Sequence, residues 1–160
     1  MDLDKVQERL GVVFKDRDLL LEALTHSSCL NEAQMGFHRS NEALAWLGDA
    51  LINWVASEAI YNPTSSSGDL TEKRKDYVEK TILAELTKKL GLDNALIIPE
   101  HRVKERGRTN LKNLHTVFEA IVGAIYRDKD FEEAKDFVLE SCVRARPESY
   151  THLRYKSEVE

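Results

Sequence analysis

The chain has 160 residues, two cysteines and a formal net charge of −5, enough for one domain with its own core and too acidic to hold nucleic acid by its overall field. Cys29 and Cys142 stand far apart, outside any CxxC or Cys/His cluster, which argues against a zinc or dithiol motif and predicts reduced thiols. No apolar run approaches the roughly 20 residues of a membrane span, and the start MDLDKVQERLGVVF is unlike a signal peptide, so a soluble cytoplasmic protein with no membrane partner is expected.

Leu3, Val6 and Leu10 are spaced as a short amphipathic helix that Gly11 ends. Asp16 is placed to cap a second helix reaching Leu24, with Leu19, Leu20, Ala23 and Leu24 inside. Thr25-His26-Ser27-Ser28 suits a capped terminus or polar packing, and residues 31 to 40 read as a linker or short helix. Ser40 is the predicted N-cap of a long helix running to Tyr61. Between Ala43 and Ile52 that helix carries one charge, Asp49. Leu44, Leu47, Leu51 and Val55 fall on one side, and Glu42, Trp46, Asp49 and Asn53 on the other. So apolar a helix is expected to be central and covered nearly all round, where a carboxylate is costly without a cation, a metal or hydrogen-bond donors.

Asn62-Pro63 ends this helix, and Thr64 to Gly68 reads as a serine-rich surface loop. Leu70 to Leu90 has the pattern of one bent helix or two short ones, closed by Gly91, and Ala95 to Pro99 is a short apolar segment of open form. HRVKERGRTNLK, residues 101 to 112, sets Arg102, Lys104, Arg106, Arg108 and Lys112 against Glu105 alone, and Gly107 favours a loop. Leu111 to Arg127 is a second strongly apolar helix in which VFEAIVGAIY carries one charge, Glu119, and Gly123 permits a close helix crossing near it. A last amphipathic helix runs from Phe131 to about Val143. Almost no stretch alternates as a strand does, so the fold class is all-α, with a helical domain at residues 1–146 and a polar tail at 147–160.

Two lone acids in apolar helices are the chemical signal. Asp49 and Glu119 together suit Mg2+, which prefers oxygen ligands, keeps several waters and takes one or two carboxylates plus substrate phosphates. The alternative is that each acid caps or bridges neighbouring helices, with Lys112 or a tyrosine as partner.

Four stretches carry a resemblance. NEALAWLGDA at 41–50 is similar to the ribonuclease III signature NERLEFLGDA; ALTHSS at 23–28 resembles that family's second-helix ending; DLTEKRKDYV at 69–78 and NLKNLHTVFEAIVGAIY at 110–126 resemble two later segments, in the same order. The resemblance implies a helical endonuclease domain that forms a homodimer and cuts double-stranded or structured RNA with divalent metal, Mg2+ or alternatively Mn2+. It also implies a site of four carboxylates, two from each motif. Carried over, these fall on Ala45 and Asp49 in the first motif and on Thr116 and Glu119 in the second, so two acids are replaced. The Mini-III branch of the family shows the same two replacements, and no double-stranded-RNA-binding domain is expected to fit after residue 143.

The resemblance therefore implies Asp49 and Glu119 as metal ligands, with Thr116 orienting water and Glu42 in support; for Glu42 the plain alternative is a first-turn acid favoured by the helix dipole. Trp46 matches an aromatic that inserts into the partner subunit, or else packs in the core. Arg102, Lys104, Arg106 and Arg108 are phosphate-contact candidates by charge, or solvated loop residues, and Arg74, at the family's arginine position, is RNA-binding, structural or site-supporting. His26 reads as a packing residue and His115 as a surface one. Two functions follow: an endoribonuclease leaving 5′-phosphate and 3′-hydroxyl ends from a reduced carboxylate site, or a non-catalytic RNA-binding or ribosome-associated protein on the same fold.

Overall fold

A computed structural model describes residues 2–144. The tail expected at 147–160, and the end of the domain at 145–146, lie outside the described residues. The order is α1 (Leu3–Leu10), α2 (Arg17–Leu24), two 3₁₀ turns (Ser27–Asn31 and Ala33–Met35), α3 (Glu42–Ile60), α4 (Ser67–Val78), α5 (Lys80–Lys89), α6 (Leu92–Ala95), α7 (Glu100–Lys104), a 3₁₀ turn (Gly107–Thr109), α8 (Leu111–Asp128) and α9 (Phe131–Val138). A π-helical stretch, Leu139–Arg144, ends the described chain, where the sequence predicts α-helix as far as Val143. The described residues hold no strand, only an isolated parallel bridge between Thr25 and Ile97.

Local chemistry sets most boundaries. Asp2, Asp16, Ser66, Asn110 and Asp130 accept backbone N–H bonds as N-caps of α1, α2, α4, α8 and α9. Glu79, with ψ 141°, breaks the 70–90 pattern into two helices rather than bending one. Three boundaries differ from expectation. Ser66 caps α4, so the serine loop stops there and Ser67 and Gly68 are helical. The basic stretch is not a plain loop: it holds α7 and a 3₁₀ turn, joined through Arg106 at φ 62°. Asn41, not Ser40, stands at the start of α3, and its side chain makes no cap bond; its N–H is drawn instead to the Thr25 carbonyl, 2.8 Å away.

The organising helix is α8. Leu114, Val117, Phe118, Ile121, Val122 and Ile125 are all at most 1% exposed, each worth about 1.5–3 kcal/mol of burial, and α3, α5, α2 and α9 pack around it. α3, expected to be covered all round, is not: Leu44, Ala45, Gly48, Ile52, Val55, Ala56 and Ile60 are buried, while Trp46 is 79% exposed and Asp49 is exposed with it. Leu47 and Leu51, placed on the inner side by the sequence pattern, are only half-buried. The inner stripe instead follows the two glycines of the α3/α8 crossing. A Cβ on Gly48 would collide with the Glu119 carbonyl, and one on Gly123 with the Leu44 carbonyl. The backbones therefore meet at Gly48 and Gly123, which brings Asp49 and Glu119 to one crossing.

Candidate active site

Asp49 lies on the exposed side of α3, one residue past the crossing glycine. Its carboxylate is held from its own helix: Asn53, one turn on, donates Nδ2 to Asp49 Oδ1 at 3.0 Å and to the Asp49 carbonyl at 2.9 Å. Ser57 Oγ donates to the Asn53 carbonyl at 2.7 Å, and Arg74 of α4 donates Nη1 to Ser57 Oγ at 3.0 Å. Arg74 thus braces the α3 face that carries Asp49.

Glu119 is 9% exposed. Burial, and then the charge of Asp49, push its carboxyl up to about 7, against the pull of the Lys80 ammonium at the start of α5. His115 is 7% exposed rather than on the surface, because it sits one turn before Glu119 on the helix that is covered on most sides. Its Nδ1 comes within 3.3 Å of Glu119 Oε1 but has no hydrogen-bond partner. Burial, then Lys80 and Lys112, hold its pKa below the ordinary value while Asp49 opposes them; the contact at neutral pH is therefore between a neutral imidazole and a carboxyl, not an ion pair.

Toward the N-terminal ends of the same two helices is a cavity of about 390 Å³ lined by Asn41, by Glu42 and Ala45 from α3 and by Lys112, Asn113 and Thr116 from α8. His26 and Ser27 close it. Asn113 donates Nδ2 to the Gly107 carbonyl, which leaves its Oδ1 to accept from His26 Nε2 at 3.1 Å, while His26 Nδ1 accepts from the Ser28 N–H. Burial, first among the causes, holds His26 below its ordinary pKa, in keeping with this neutral tautomer. His26 is therefore the packing residue expected of it, tying the α2 end to α8.

The structure brings Asp49 and Glu119 into electrostatic contact and puts Glu42 and Thr116 in one cavity. Among the described residues no three His, Cys, Asp or Glu side chains gather as a metal cluster, so the acids present are a pair. Two hard oxygen donors whose charges oppose each other suit a divalent cation such as Mg2+ better than a structural zinc. The basic residues divide. Arg108 donates Nη1 to the carbonyls of Asp93, Asn94 and Leu96 and so holds the end of α6. Arg102 pairs with Glu105 and Lys104 with Glu100, all exposed, while Arg106 is exposed where α7 gives way to the 3₁₀ turn. Sequence reasoning gave no role to Asn53 or Lys80. Spacing of four from Asp49 marks Asn53; nothing local marks Lys80, which comes from another helix.

Comparison with known proteins places this geometry in a family. The Ribonuclease-III-like family profile matches residues 16–145. A Ribonuclease 3 of Bacillus cereus is 32% identical over 158 residues, 96% of this chain and 64% of that protein. A Ribonuclease 3 of Bdellovibrio bacteriovorus is 36% identical over 140 residues, 86% of this chain and 59% of the relative. The chain therefore spans under two thirds of the length of these curated relatives. Two structures of the nuclease domain of ribonuclease III from Campylobacter jejuni, one of them concerned with flexibility in a region involved in dimer formation, superpose with a TM-score of 0.80 at 29% identity, covering 89% and 91% of this chain and 97% of each. With the profile covering most of the chain and the fold shared at this level, the protein belongs to the ribonuclease III-like family.

Proposed function

We propose that this chain is a divalent-metal-dependent endoribonuclease that hydrolyses double-stranded or structured RNA to 5′-phosphate and 3′-hydroxyl ends, from a carboxylate site reduced to Asp49 and Glu119. The observation that carries this reading is the placement of Glu119. A carboxyl driven up to about 7 by burial and by a second acid is a liability to the fold unless a cation relieves it. Asp49 and Glu119 would hold that cation, Mg2+ or Mn2+. When bound, it supplies acidification of water and charge stabilisation for an in-line displacement at phosphorus. Asn53 fixes the Asp49 rotamer, Arg74 braces Asn53 through Ser57, and the Thr116 hydroxyl, one turn before Glu119, orients water at the cavity mouth. Glu42 lines the same cavity on the opposite helix.

The reading includes a homodimer. Trp46 is 79% exposed and lies one turn before Asp49 on the same helix face, so a second copy that covers it brings two sites together, one for each strand of a duplex. Arg102, Lys104 and Arg106 serve the phosphate backbone by charge, and the surface ion pairs of Arg102 and Lys104 are weak enough to exchange for phosphate. The test is incubation of the protein with duplex RNA and Mg2+ beside Asp49→Asn. Cleavage that drops roughly 100-fold or more in the variant is expected. Equal cutting by both proteins, or RNA binding with no metal-dependent cutting, overturns the enzyme reading and leaves an RNA-binding protein on this fold.

A further inference from the structure

The cavity beside Ala45 and Thr116 is where the family pattern calls for two more acids, and this chain has furnished it differently. It opens at the N-terminal turns of the 19-residue α3 and the 18-residue α8. The α8 terminus is capped by the Asn110 side chain, but no side chain caps α3. The first-turn N–H groups of α3 and the positive ends of two long helices therefore face one space. Lys112, exposed at its wall, has no ion-pair partner among the described residues. Asn41, 1% exposed, lines the same cavity, and its buried Nδ2 has no hydrogen-bond partner. An orphaned donor is costly unless a ligand accepts from it. Glu42 is the carboxylate among the lining residues, and it is exposed at the rim, where water screens it.

We infer that replacing two acids by Ala45 and Thr116 has converted this half of the site from a cation site into an anion pocket, which takes an RNA phosphate group through Lys112, the Asn41 amide and the uncapped start of α3. The assignment rests on the proposed RNA-directed function. A second cavity of about 220 Å³ opens beside it and shares His26, Lys112 and Asn113, with Arg102 on its far wall. A strand held by one phosphate in the first cavity thus has a path toward the basic stretch. An acid at position 45 would close that path by charge alone.

The test is NMR titration of 15N-labelled protein, in EDTA, with inorganic phosphate and separately with dimethyl phosphate, together with binding of a short duplex RNA carrying either a 5′-phosphate or a 5′-hydroxyl. Saturable shifts centred on the backbone amides of residues 42–44 and the Asn41 side chain are expected. Lys112→Ala and Ala45→Glu should each weaken RNA binding about tenfold, while Lys5→Ala, exposed on α1, should leave it unchanged. Dimethyl phosphate and 5′-hydroxyl RNA binding as well as their counterparts identifies a backbone phosphate as the ligand; preference for inorganic phosphate and the 5′-phosphate identifies a strand end. Shifts elsewhere, no shifts, or RNA affinity indifferent to Lys112→Ala and Ala45→Glu overturn the pocket. Metal-dependent cleavage that survives such a result leaves the nuclease reading standing; phosphate binding here without any cleavage does the reverse.

Discussion

Two neighbouring turns of the α3/α8 pair are built from the same two helices and have opposite chemistry. On one, Asp49 and Glu119 oppose each other with Lys80 nearby, and the Glu119 carboxyl is driven up. On the other, the matching helical positions are Ala45 and Thr116, and the exposed Lys112 and the buried, unpartnered Asn41 amide belong to residues that line the cavity. The difference teaches that the backbone crossing, rather than the side chains that flank it, sets the spacing of both turns. Gly48 and Gly123 set the helix separation, and neither depends on which acids flank it.

The largest effect should therefore come from the crossing itself. In Gly48→Ala the new Cβ meets the Glu119 carbonyl, a backbone atom that cannot swing aside. A loss of about 3 kcal/mol or more is expected from urea denaturation, with both turns of the site impaired together. Gly36→Ala is the control: φ is +69° but the space around it is open, so only the backbone cost of about 1 kcal/mol applies. If Gly48→Ala is as mild as Gly36→Ala, the helices are free to part and the ligands, not the glycines, hold the crossing.

Much of this was legible in the chain because it is local. Asp16, Gly11 and Gly91 act at their own helix ends, and Gly123 was a visible gap beside Glu119. Asp49 and Glu119 stood out as single charges in apolar runs. What escaped depends on partners remote in sequence. Ser40 and Asn41 are equally good capping residues by type, but the bond from the Asn41 N–H to the Thr25 carbonyl starts the helix one residue later. Arg108 looked like its basic neighbours until the α6 carbonyls claimed it. The apolar composition of α3 could not distinguish a face buried in its own chain from one, around Trp46, left exposed.

The acid turn can be tested for what it costs. Glu119 has its carboxyl raised from an ordinary 4.5 to about 7, so in the metal-free protein the folded state binds the proton more tightly than the unfolded chain. Folding stability should then fall as pH rises from about 4.5 to about 7 and level off above that. Glu119→Gln removes this slope. In EDTA at pH 8 the variant should be more stable than the parent by about 2 kcal/mol, and by little at pH 4.5. Saturating Mg2+ should stabilise the parent and not the variant. A variant less stable at pH 8 would mean that Glu119 serves the fold, and the contrast between the two turns would lose its functional meaning.

The smaller, sharper test is to make the two turns alike. Ala45 is 5% exposed and Thr116 half-buried, both on the cavity wall, and each is one turn from the retained acid of its own helix. Ala45→Glu with Thr116→Asp adds two oxygen donors facing the same crossing, and the added negative charge should raise Mg2+ affinity by calorimetry about tenfold. Part of the gain is offset by placing a carboxylate at a covered position, so apo stability should drop by about 1–2 kcal/mol and recover when metal is added. Lys112 decides how far the gain goes, since its ammonium now stands beside acids instead of an empty cavity and competes with the metal for them. Adding Lys112→Ala to the double variant should therefore raise Mg2+ affinity again, whereas Lys112→Ala alone should leave it nearly unchanged. A double variant with no gain in affinity would show that positions 45 and 116 do not face the cation, and that the two turns are separate sites rather than one site reduced by half.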